Sequence, residues 1–307
     1  MLEKYYLRPP QMADLDAVFD LILRCDRRDV GFEDSDKEDL LHDWQGIDLA
    51  RDAWLAFDVS GSLRGYAACL PWGEGIYLVL HDDPGTEQSD LFQGLLLLAE
   101  KRAEIILRGM QDEKKRSMLA YVSESAGHQN ACLKNAGYVI KKYIFNMHRD
   151  LQGVLPELQL PAGVSIRPMV QGQDEQAIHA LIQSGFDWRE RQPQPFEDWQ
   201  KFMLRPELFD ASLWFLAARG KKIVGACLCF RYSSMGWVRQ LAVDKTERGH
   251  GIGRALMEHA FRVFQSLGMH KVGLAVESVN LHAVHFYQTA GMVKAVHLNE
   301  YVKEVKA

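Results

Sequence analysis

A domain-length internal repeat constrains the fold of this chain more than any single motif. The matched positions are Arg8 with Arg167, Gly65 with Gly225, and Gly137 with Gly291. Their offsets are 159, 160 and 154 residues, so the two copies stay nearly in register. Each copy opens with a short strand and an apolar helical stripe and closes with a glycine suited to ending a helix. A chain of 307 residues is long enough for two such copies, and we predict two tandem domains of one fold.

The residues between the two copies are typical of a linker. Residues 151–162 contain Pro156 and Pro161 and follow neither a helical nor a strand period. We therefore predict a first domain at 1–150, a linker at 151–162 and a second domain at 163–307. Each domain is predicted to be α/β, with antiparallel strands followed by a strand-helix-strand-helix segment. The two strands of that segment should be parallel and joined by a right-handed crossover.

Composition argues against several classes of protein. The formal net charge of -5 gives no basic field for nucleic acid, and the one basic run is the short Lys114-Lys115-Arg116. No window of about 20 apolar residues is present to span a membrane, and the N-terminus lacks the apolar stretch of a signal peptide. We expect neither a nucleic-acid nor a membrane partner, and we expect a cytoplasmic monomer or homodimer.

The five cysteines are an odd number at scattered positions, which favours reduced core residues over disulfides. Cys227 and Cys229 would lie on one face of a strand. Because no second Cys or His pair stands near them, packing is the better explanation and no metal site is predicted.

A glycine-rich segment in the second copy is the strongest local signal of function. Trp237–Val243 is predicted to be a strand, and Gly249, Gly251 and Gly253 separate it from an apolar-striped helix. Glycines leave backbone amides accessible, and a helix N-terminus attracts anions, so this stretch is typical of a diphosphate site. The Lys-Ser/Thr of a nucleoside triphosphate loop is missing after Gly253, and the spacing G-x-G-x-G differs from the G-x-G-x-x-G of dinucleotide folds.

The stretch Arg248-Gly-His-Gly-Ile-Gly253 resembles the acetyl-coenzyme A loop, Q/R-x-x-G-x-G/A, of the Gcn5-related N-acetyltransferase (GNAT) superfamily. The flanking segments Leu241–Val243, Glu277–Asn280 and Ala283–Met292 follow in that family's order over about sixty residues. An eroded first copy before an intact second one is similar to the mycothiol synthase group of tandem members. The resemblance implies two tandem GNAT-like domains, each a mixed central sheet flanked by helices, with splayed parallel strands at the coenzyme A cleft.

The resemblance also implies roles for individual residues. Loop amides would bind the pyrophosphate, amides of the preceding strand would bind pantetheine and polarise the thioester, and Asn280 would touch the cofactor. The predicted cofactor-binding residues are Leu241, Ala242, Val243, Arg248, Gly249, His250, Gly251, Ile252, Gly253, Arg254, Asn280 and Tyr287. Plainer roles stay open for some: Asn280 as a helix cap, Arg248 as a solvated charge and His250 as a side chain facing solvent.

Two residues are candidates for proton transfer. Tyr287 matches the family tyrosine that protonates the departing thiolate, although it could be a core residue beside Phe286. Glu277, at the end of a strand, is the first candidate for the general base, with a salt bridge as its alternative. Some relatives carry an acid on the strand before the loop, where this chain has Arg239 and Gln240, so the base stays open.

The first copy lacks the same features. The stretch after its corresponding strand, residues 81–90, has one glycine and four carboxylates, and Pro84 removes an amide donor. Leu133 stands at the place of Tyr287. We therefore predict that the first copy is degenerate and noncatalytic.

The sequence predicts an acyl-coenzyme A dependent N-acyltransferase whose second domain transfers acetyl directly from acetyl-coenzyme A to a small amine. The acceptor is expected beside the segment 186–210. Its acidic residues, which suit a cationic molecule or simply form a solvated face, are Asp187, Glu190, Glu197, Asp198 and Asp210. A noncatalytic coenzyme A binding or regulatory module, mycothiol synthase itself and a purely structural protein are the alternatives.

Overall fold

The computed structural model describes residues 2–73, 75–86, 90–109, 116–185, 193–205 and 208–305. The chain forms two compact units that do not divide it at one point. Unit 1 contains Met1–Phe145, Glu277–Val279 and Val296–Ala307, and unit 2 contains Asn146–Val276 and Asn280–Ala295. The predicted domain boundaries follow the sequence repeat, whereas each compact unit also takes residues from the other half of the chain.

The first half of the chain alternates strands and helices as the repeat predicts. In chain order its elements are β1 (Tyr6–Arg8), α1 (Leu15–Asp29), α2 (Lys37–Gln45), α3 (Leu49–Asp52), β2 (Ala53–Phe57), β3 (Leu63–Trp72), β4 (Gly75–Asp82), α4 (Leu91–Gly109), β5 (Ser117–Ser123), α5 (Gly127–Asn135) and β6 (Val139–Asp150).

The second half follows the same order. Its elements are β7 (Val164–Pro168), α6 (Glu175–Gly185), α7 (Phe196–Met203), β8 (Trp214–Arg219), β9 (Lys222–Arg231), β10 (Gly236–Val243), α8 (Ile252–Ser266), β11 (Lys271–Glu277), α9 (Leu281–Thr289) and β12 (Val293–Glu304). The sequence predicts the strand-helix-strand-helix segment at 237–243, 253–266, 271–277 and 281–290, and the structure confirms each bound to within one residue.

Each unit has a mixed sheet that includes a strand from the other half of the sequence. The strands of unit 1 lie in the order β1-β2-β3-β4-β5-β12, with Leu298 of β12 opposite Ser123 of β5. Those of unit 2 lie in the order β6-β11-β10-β9-β8-β7, and of β6 only residues 146–150 belong to this unit. The first four strands of each copy are antiparallel neighbours, and the following pair, β4 with β5 or β10 with β11, is parallel.

The repeat extends to single contacts. Arg8 makes two hydrogen bonds to Asp14, at 2.7 Å each, and Arg167 makes the same pair to Asp174 at 2.7 and 2.9 Å. Arg8 is the last residue of β1 and Arg167 is the last but one of β7, and in both copies the aspartate immediately precedes the first long helix. These hydrogen bonds lower the pKa of each aspartate below its usual range.

A glycine on the third strand of each copy lets a helix approach the sheet. A Cβ at Gly225 would lie 2.9 Å from Ile252 Cγ2 and 2.9 Å from Leu256 Cδ1 of α8. In unit 1, a Cβ at Gly65 would lie 2.8 Å from Leu95 Cδ1 of α4. These glycines therefore allow the helix after each parallel strand to pack closely against its sheet.

Within the described residues, no helix combines the length and the apolar character needed to cross a membrane.

Candidate functional site

The parallel strands of unit 2 separate soon after they begin. β10 and β11 pair only at Gly236 with Val272 and at Trp237 with Gly273. On its other side, β10 stays paired with β9 as far as Val243, with a register shift between Val238 and Gln240. The side of β10 that faces β11 is therefore unpaired from Val238 to Val243, and we call it the open edge.

The register shows which amides of the open edge are available. The amide of Asp244 donates to Val224 O of β9 at 2.9 Å, and antiparallel partners alternate between bonded and non-bonded pairs. The amide of Ala242 therefore also points to β9, and those of Leu241 and Val243 point away from it. Two amide donors spaced as in a strand are thus presented along the open edge.

A short glycine loop, residues 244–251, connects the open edge to α8. The carboxylate of Asp244 accepts hydrogen bonds from Thr246 N and pairs with Lys222 Nζ at 2.7 Å, and Glu247 is held by Arg219. Two glycines in the loop have left-handed backbones, with φ of 80° at Gly249 and 81° at Gly251. Other residues rarely adopt this conformation, which accounts for two of the three glycines.

The third glycine of the motif, Gly253, does not have a left-handed backbone. Gly253 lies in the first turn of α8, and a Cβ there would sit 3.4 Å from Phe286 Cζ and 3.6 Å from Val243 Cγ2. The first hydrogen bond back into the loop is from Ala255 N to Gly251 O at 3.0 Å. The amides of residues 252–254 bond to no carbonyl in the described parts of the chain, as expected at a helix N-terminus. They form a donor cluster suited to an anion.

The charged residues around the loop make specific contacts. Arg248 donates to Gly185 O at 2.6 Å and to Val243 O at 3.2 Å, so it ties the loop to the end of α6. Arg254 pairs with Glu258 one turn along α8 at 2.8 Å, and His250 is exposed beside Glu247 O. The side chain of Ile252 is buried in the core, which leaves only its backbone for a ligand.

Helix α9 carries Tyr287. The side chain of Asn280 caps this helix by accepting from Ala283 N at 3.1 Å, so the predicted cap is present. Tyr287 is partly buried, and its hydroxyl bonds to no other described residue. Burial raises the pKa of Tyr287 well above its usual range, and Cys227 adds to the effect. The phenol is protonated at neutral pH, as an ordinary tyrosine also is.

A contact that the sequence did not indicate fixes the other end of α9. Arg149, from β6, donates to Ala290 O at the C-terminus of the helix, and its guanidinium lies 4.6 Å from the ring centre of Phe261 on α8. A cation at a helix C-terminus is favourable. No local pattern could predict this contact, because Arg149 lies more than 100 residues from both partners.

Glu277 belongs to unit 1 and forms an ion pair there. Its carboxylate accepts from Lys142 Nζ at 3.0 Å, and the amide of the next residue, Ser278, donates to Tyr143 O. The salt bridge named above as the alternative role of Glu277 is therefore present, and its role as the general base stays a prediction.

Part of the expected acceptor segment is described. Trp199 of α7 donates to Gln240 Oε1 at 3.0 Å, and the guanidinium of Arg239 lies 4.7 Å from the ring centre of Phe202. Arg205 also packs over that ring, at 5.4 Å. Sequence reasoning missed this cluster because the irregularity in β10 decides how its side chains are directed. Asp187 and Glu190 lie outside the described residues.

The corresponding position in unit 1 is built from ion pairs. Asp82, at the end of β4, is buried and accepts from Gln129 Nε2 at 2.8 Å, while Asp83 accepts from Arg24 and Arg64 at 2.7 Å each. Burial raises the pKa of Asp82. Burial would raise that of Asp83 too, but the hydrogen bonds from the two arginines outweigh it and lower the pKa. Acidic side chains thus stand where the second copy presents a glycine loop.

Metal ligation has no support in the described ranges, where no group of three or more His, Cys, Asp or Glu residues could hold an ion. Cys227 and Cys229 lie in the core with their sulfur atoms 3.7 Å apart, as the packing explanation predicts.

Comparison with known proteins identifies relatives. The Acetyltransferase (GNAT) family profile matches residues 176–292. A mycothiol acetyltransferase of Geodermatophilus obscurus is 31% identical over 253 residues, covering 78% of each chain. One from Thermobispora bispora is 32% identical over 170 residues, covering 52% of this chain but 56% of that relative. The match to the latter thus spans little more than half of its length.

Two solved structures resemble the whole chain. A GCN5-related N-acetyltransferase from Sphaerobacter thermophilus has a TM-score of 0.87 and 27% identity, covering 99% of this chain and 97% of that one. A tandem GNAT protein from the clavulanic acid biosynthesis pathway has a TM-score of 0.75 with 13% identity and covers 99% of each chain. The second likeness concerns the fold alone. Together the comparisons confirm the family resemblance and the tandem α/β fold predicted from the sequence.

Proposed function

The chain belongs to the acetyltransferase (GNAT) family, and we propose that its second copy transfers an acetyl group from acetyl-coenzyme A to the amine of a small molecule. Acetyltransferases of this family use acetyl-coenzyme A as the donor. The observation that carries the proposal is the continuity of amide donors, from Leu241 and Val243 on the open edge to the N-terminus of α8. In the first copy β4 and β5 also pair at only two positions, but β4 leads into the ion-paired Asp82 and Asp83 instead of a glycine loop.

The donor would bind in two parts. Its pyrophosphate is an anion suited to the amides of Gly251 to Arg254, where the helix dipole adds to the attraction. Its pantetheine arm contains two amide groups, which can pair with a strand edge as a peptide does. The open edge provides such an edge, so the arm would lie along β10 with the thioester directed toward Val238.

The chemistry that we propose is a direct transfer. The acceptor nitrogen attacks the thioester carbonyl carbon, so that a C–N bond forms and the C–S bond breaks. An amide of the open edge stabilises the oxyanion that develops in between. The neutral phenol of Tyr287 gives its proton to the departing thiolate, and the proton lost by the amine passes to a base. Glu277 is the candidate base, with a chain of water molecules as the other route.

A narrower form of the proposal is mycothiol synthase activity, which the names of the two relatives favour. A noncatalytic coenzyme A binding module is a different class of function. The hydroxyl of Tyr287, which makes no hydrogen bond to another described residue and is therefore available to a departing thiolate, favours an enzyme over such a module.

Binding and turnover can be tested separately. Calorimetry with acetyl-coenzyme A should show binding at micromolar protein, and a panel of small amines, including the desacetyl precursor of mycothiol, should reveal thiol release with an acceptor. Absence of binding would exclude the proposal. Binding without release for any amine would support the noncatalytic module instead.

Replacement of Tyr287 tests its role as the acid. In Tyr287→Phe, turnover should fall by about 100-fold, because general acid catalysis contributes factors of this order, while the affinity for acetyl-coenzyme A stays within about twofold. Tyr6→Phe, at an exposed tyrosine of unit 1, is the control. Equal turnover in Tyr287→Phe and the wild type would show that another group protonates the thiolate.

A further inference from the structure

An aromatic side chain lies at the end of the open edge where β10 and β11 separate. Trp237 is the last residue of β10 that pairs with β11, and its partner is Gly273. A Cβ at Gly273 would lie 2.6 Å from Trp237 Cζ3 and 3.0 Å from Met235 Sδ. The indole therefore occupies the space above Gly273, at the point where the two strands separate.

The indole is held there from two sides. Trp237 packs against the buried cluster of unit 2 that includes Trp199 and Leu228, yet it remains partly exposed. Met235, which immediately precedes β10, is buried, and its sulfur also lies close to Gly273. Because Gly273 has no side chain, the ring can lie flat across β11, and any larger residue there would displace it.

The length of the open edge indicates what reaches the indole. Six residue steps separate Val243 from Trp237, which is about 20 Å of strand at ~3.3 Å per residue. A pantetheine arm from diphosphate to sulfur is about as long as five extended residues, roughly 16 Å. An arm that begins at the loop therefore ends a few ångströms before Trp237, and only a short acyl group fits in the space that remains.

The first copy differs at this point. Its last parallel pair is Tyr77 with Leu119, so a leucine stands where the second copy has Gly273. The combination of a large ring with a glycine beneath it is thus a property of the copy that carries the glycine loop.

We propose that Trp237, seated on Gly273, sets the length of the acyl group that the site accepts and restricts the donor to acetyl and similarly short acyl-coenzyme A thioesters. This inference rests on the proposed function, since it presumes that the donor lies along the open edge. It assigns to Trp237 a role in specificity and none in proton transfer.

Binding of acyl-coenzyme A thioesters of increasing length tests the inference without knowledge of the acceptor. Calorimetry with acetyl-, butanoyl- and hexanoyl-coenzyme A should show that the wild type binds the hexanoyl thioester at least about tenfold more weakly than the acetyl thioester, because the longer chain meets the indole. In Trp237→Ala this difference should disappear or reverse. Trp237→Leu, which keeps more of the packing, should give an intermediate result and serves if the alanine variant does not fold.

The matched control is Phe264→Leu. Phe264 is on α8 and packs against β10, since a Cβ at Gly236 would lie 2.5 Å from Phe264 Cδ1. The substitution therefore removes side-chain volume next to the strand that carries Trp237. It should leave the preference for acetyl unchanged.

The outcomes separate the two proposals. If the wild type binds no acyl-coenzyme A, the proposed function fails, and this inference fails with it. If the wild type binds acetyl- and hexanoyl-coenzyme A equally, or if Trp237→Ala keeps the preference for acetyl, the role of Trp237 is wrong while the proposed function stands.

Discussion

Burial penalises the ionised form of two side chains, the phenol of Tyr287 and the imidazole of His81. For Tyr287 the pKa rises above that of an ordinary phenol, which is itself neutral at pH 7. For His81, on β4, burial lowers the pKa to about 4. His81 stacks on Tyr66 with the rings 6.2 Å apart and nearly parallel, and no catalytic role is assigned to it. The same physical effect thus acts on a proposed catalytic acid in one copy and on a packed aromatic pair in the other.

The buried imidazole makes stability depend on pH. Above pH ~6.5 His81 is neutral in both the folded and unfolded states, so it does not make the free energy of unfolding depend on pH. As the pH falls from ~6.5 to about 4, His81 binds a proton in the unfolded state but not in the folded state. The free energy of unfolding therefore decreases. The loss should be about 2 kcal/mol at pH ~4.5, after allowance for partial exposure.

Urea unfolding at pH 7 and pH 4.5 measures this loss. In His81→Phe, which keeps an aromatic ring against Tyr66, the drop in stability between the two pH values should be smaller by about 2 kcal/mol. His282→Gln changes an exposed histidine and is the control. An equal drop in His81→Phe and the wild type would mean that His81 does not carry the dependence.

At the scale of elements, the position of α8 decides whether its N-terminal amides meet the open edge. Gly225 on β9 and Gly65 on β3 allow the corresponding approach of a helix in the two copies, so they form a matched pair for experiment. Gly225→Ala should cost about 1–3 kcal/mol through overpacking, because Ile252 and Leu256 have to move. The movement begins at the first residue of α8, where the diphosphate would bind.

The two variants should therefore differ in binding but not in stability. Gly225→Ala should weaken acetyl-coenzyme A binding by about tenfold, whereas Gly65→Ala should lower stability by a similar 1–3 kcal/mol and leave the affinity unchanged. Denaturant unfolding and calorimetry on both proteins check this expectation. A comparable loss of affinity in Gly65→Ala would show that general destabilisation, rather than the position of α8, weakens binding.

The helices and strands around the glycine loop were predictable because the sequence signals that specify them are local. Period, glycine and capping residues specified the strand before the loop, α8 and α9 to within one residue. The irregularity between Val238 and Gln240 was not predictable, and neither was the side-chain cluster of Trp199, Arg239 and Phe202. These features arise from how one element packs on another, which no local period encodes.

At the scale of the whole molecule, the prediction of two copies is confirmed by contacts such as Arg8 with Asp14 and Arg167 with Asp174. The exchange of strands was not foreseen. The strands that follow the last helix of each copy, β6 and β12, were not predicted, and a strand pattern would not in any case show which neighbour each pairs with. The repeat therefore gave the architecture of each copy, and the compact units follow from long-range pairing that only the structure reveals.

The exchanged strand predicts the effect of shortening the chain. A protein ending at residue 295 lacks the partner of β5 and also Asn299 and Tyr301, which each donate to Asn130 Oδ1 at 2.8 Å. Unit 1 should then lose its cooperative fold, because β5 becomes an unpaired edge and a buried network is broken.

Limited proteolysis followed by mass spectrometry tests this expectation. In the protein ending at residue 295, cleavage should appear within residues 1–145 at protease concentrations that leave the full chain intact. A protein ending at Val305 keeps every described residue of β12 and is the control. Equal resistance of the two proteins would mean that β12 is dispensable for unit 1.

The pairing of Leu298 with Ser123 also bears on how the protein is made. The two residues are 175 positions apart, so β5 leaves the ribosome about 10–35 s before the strand that completes its sheet, at ~5–20 residues per second. During this interval the sheet of unit 1 lacks β12 and is therefore incomplete. The earliest folded form of unit 1 during translation is therefore an intermediate, and the synthesis of β12 ends its exposure to aggregation and to chaperones.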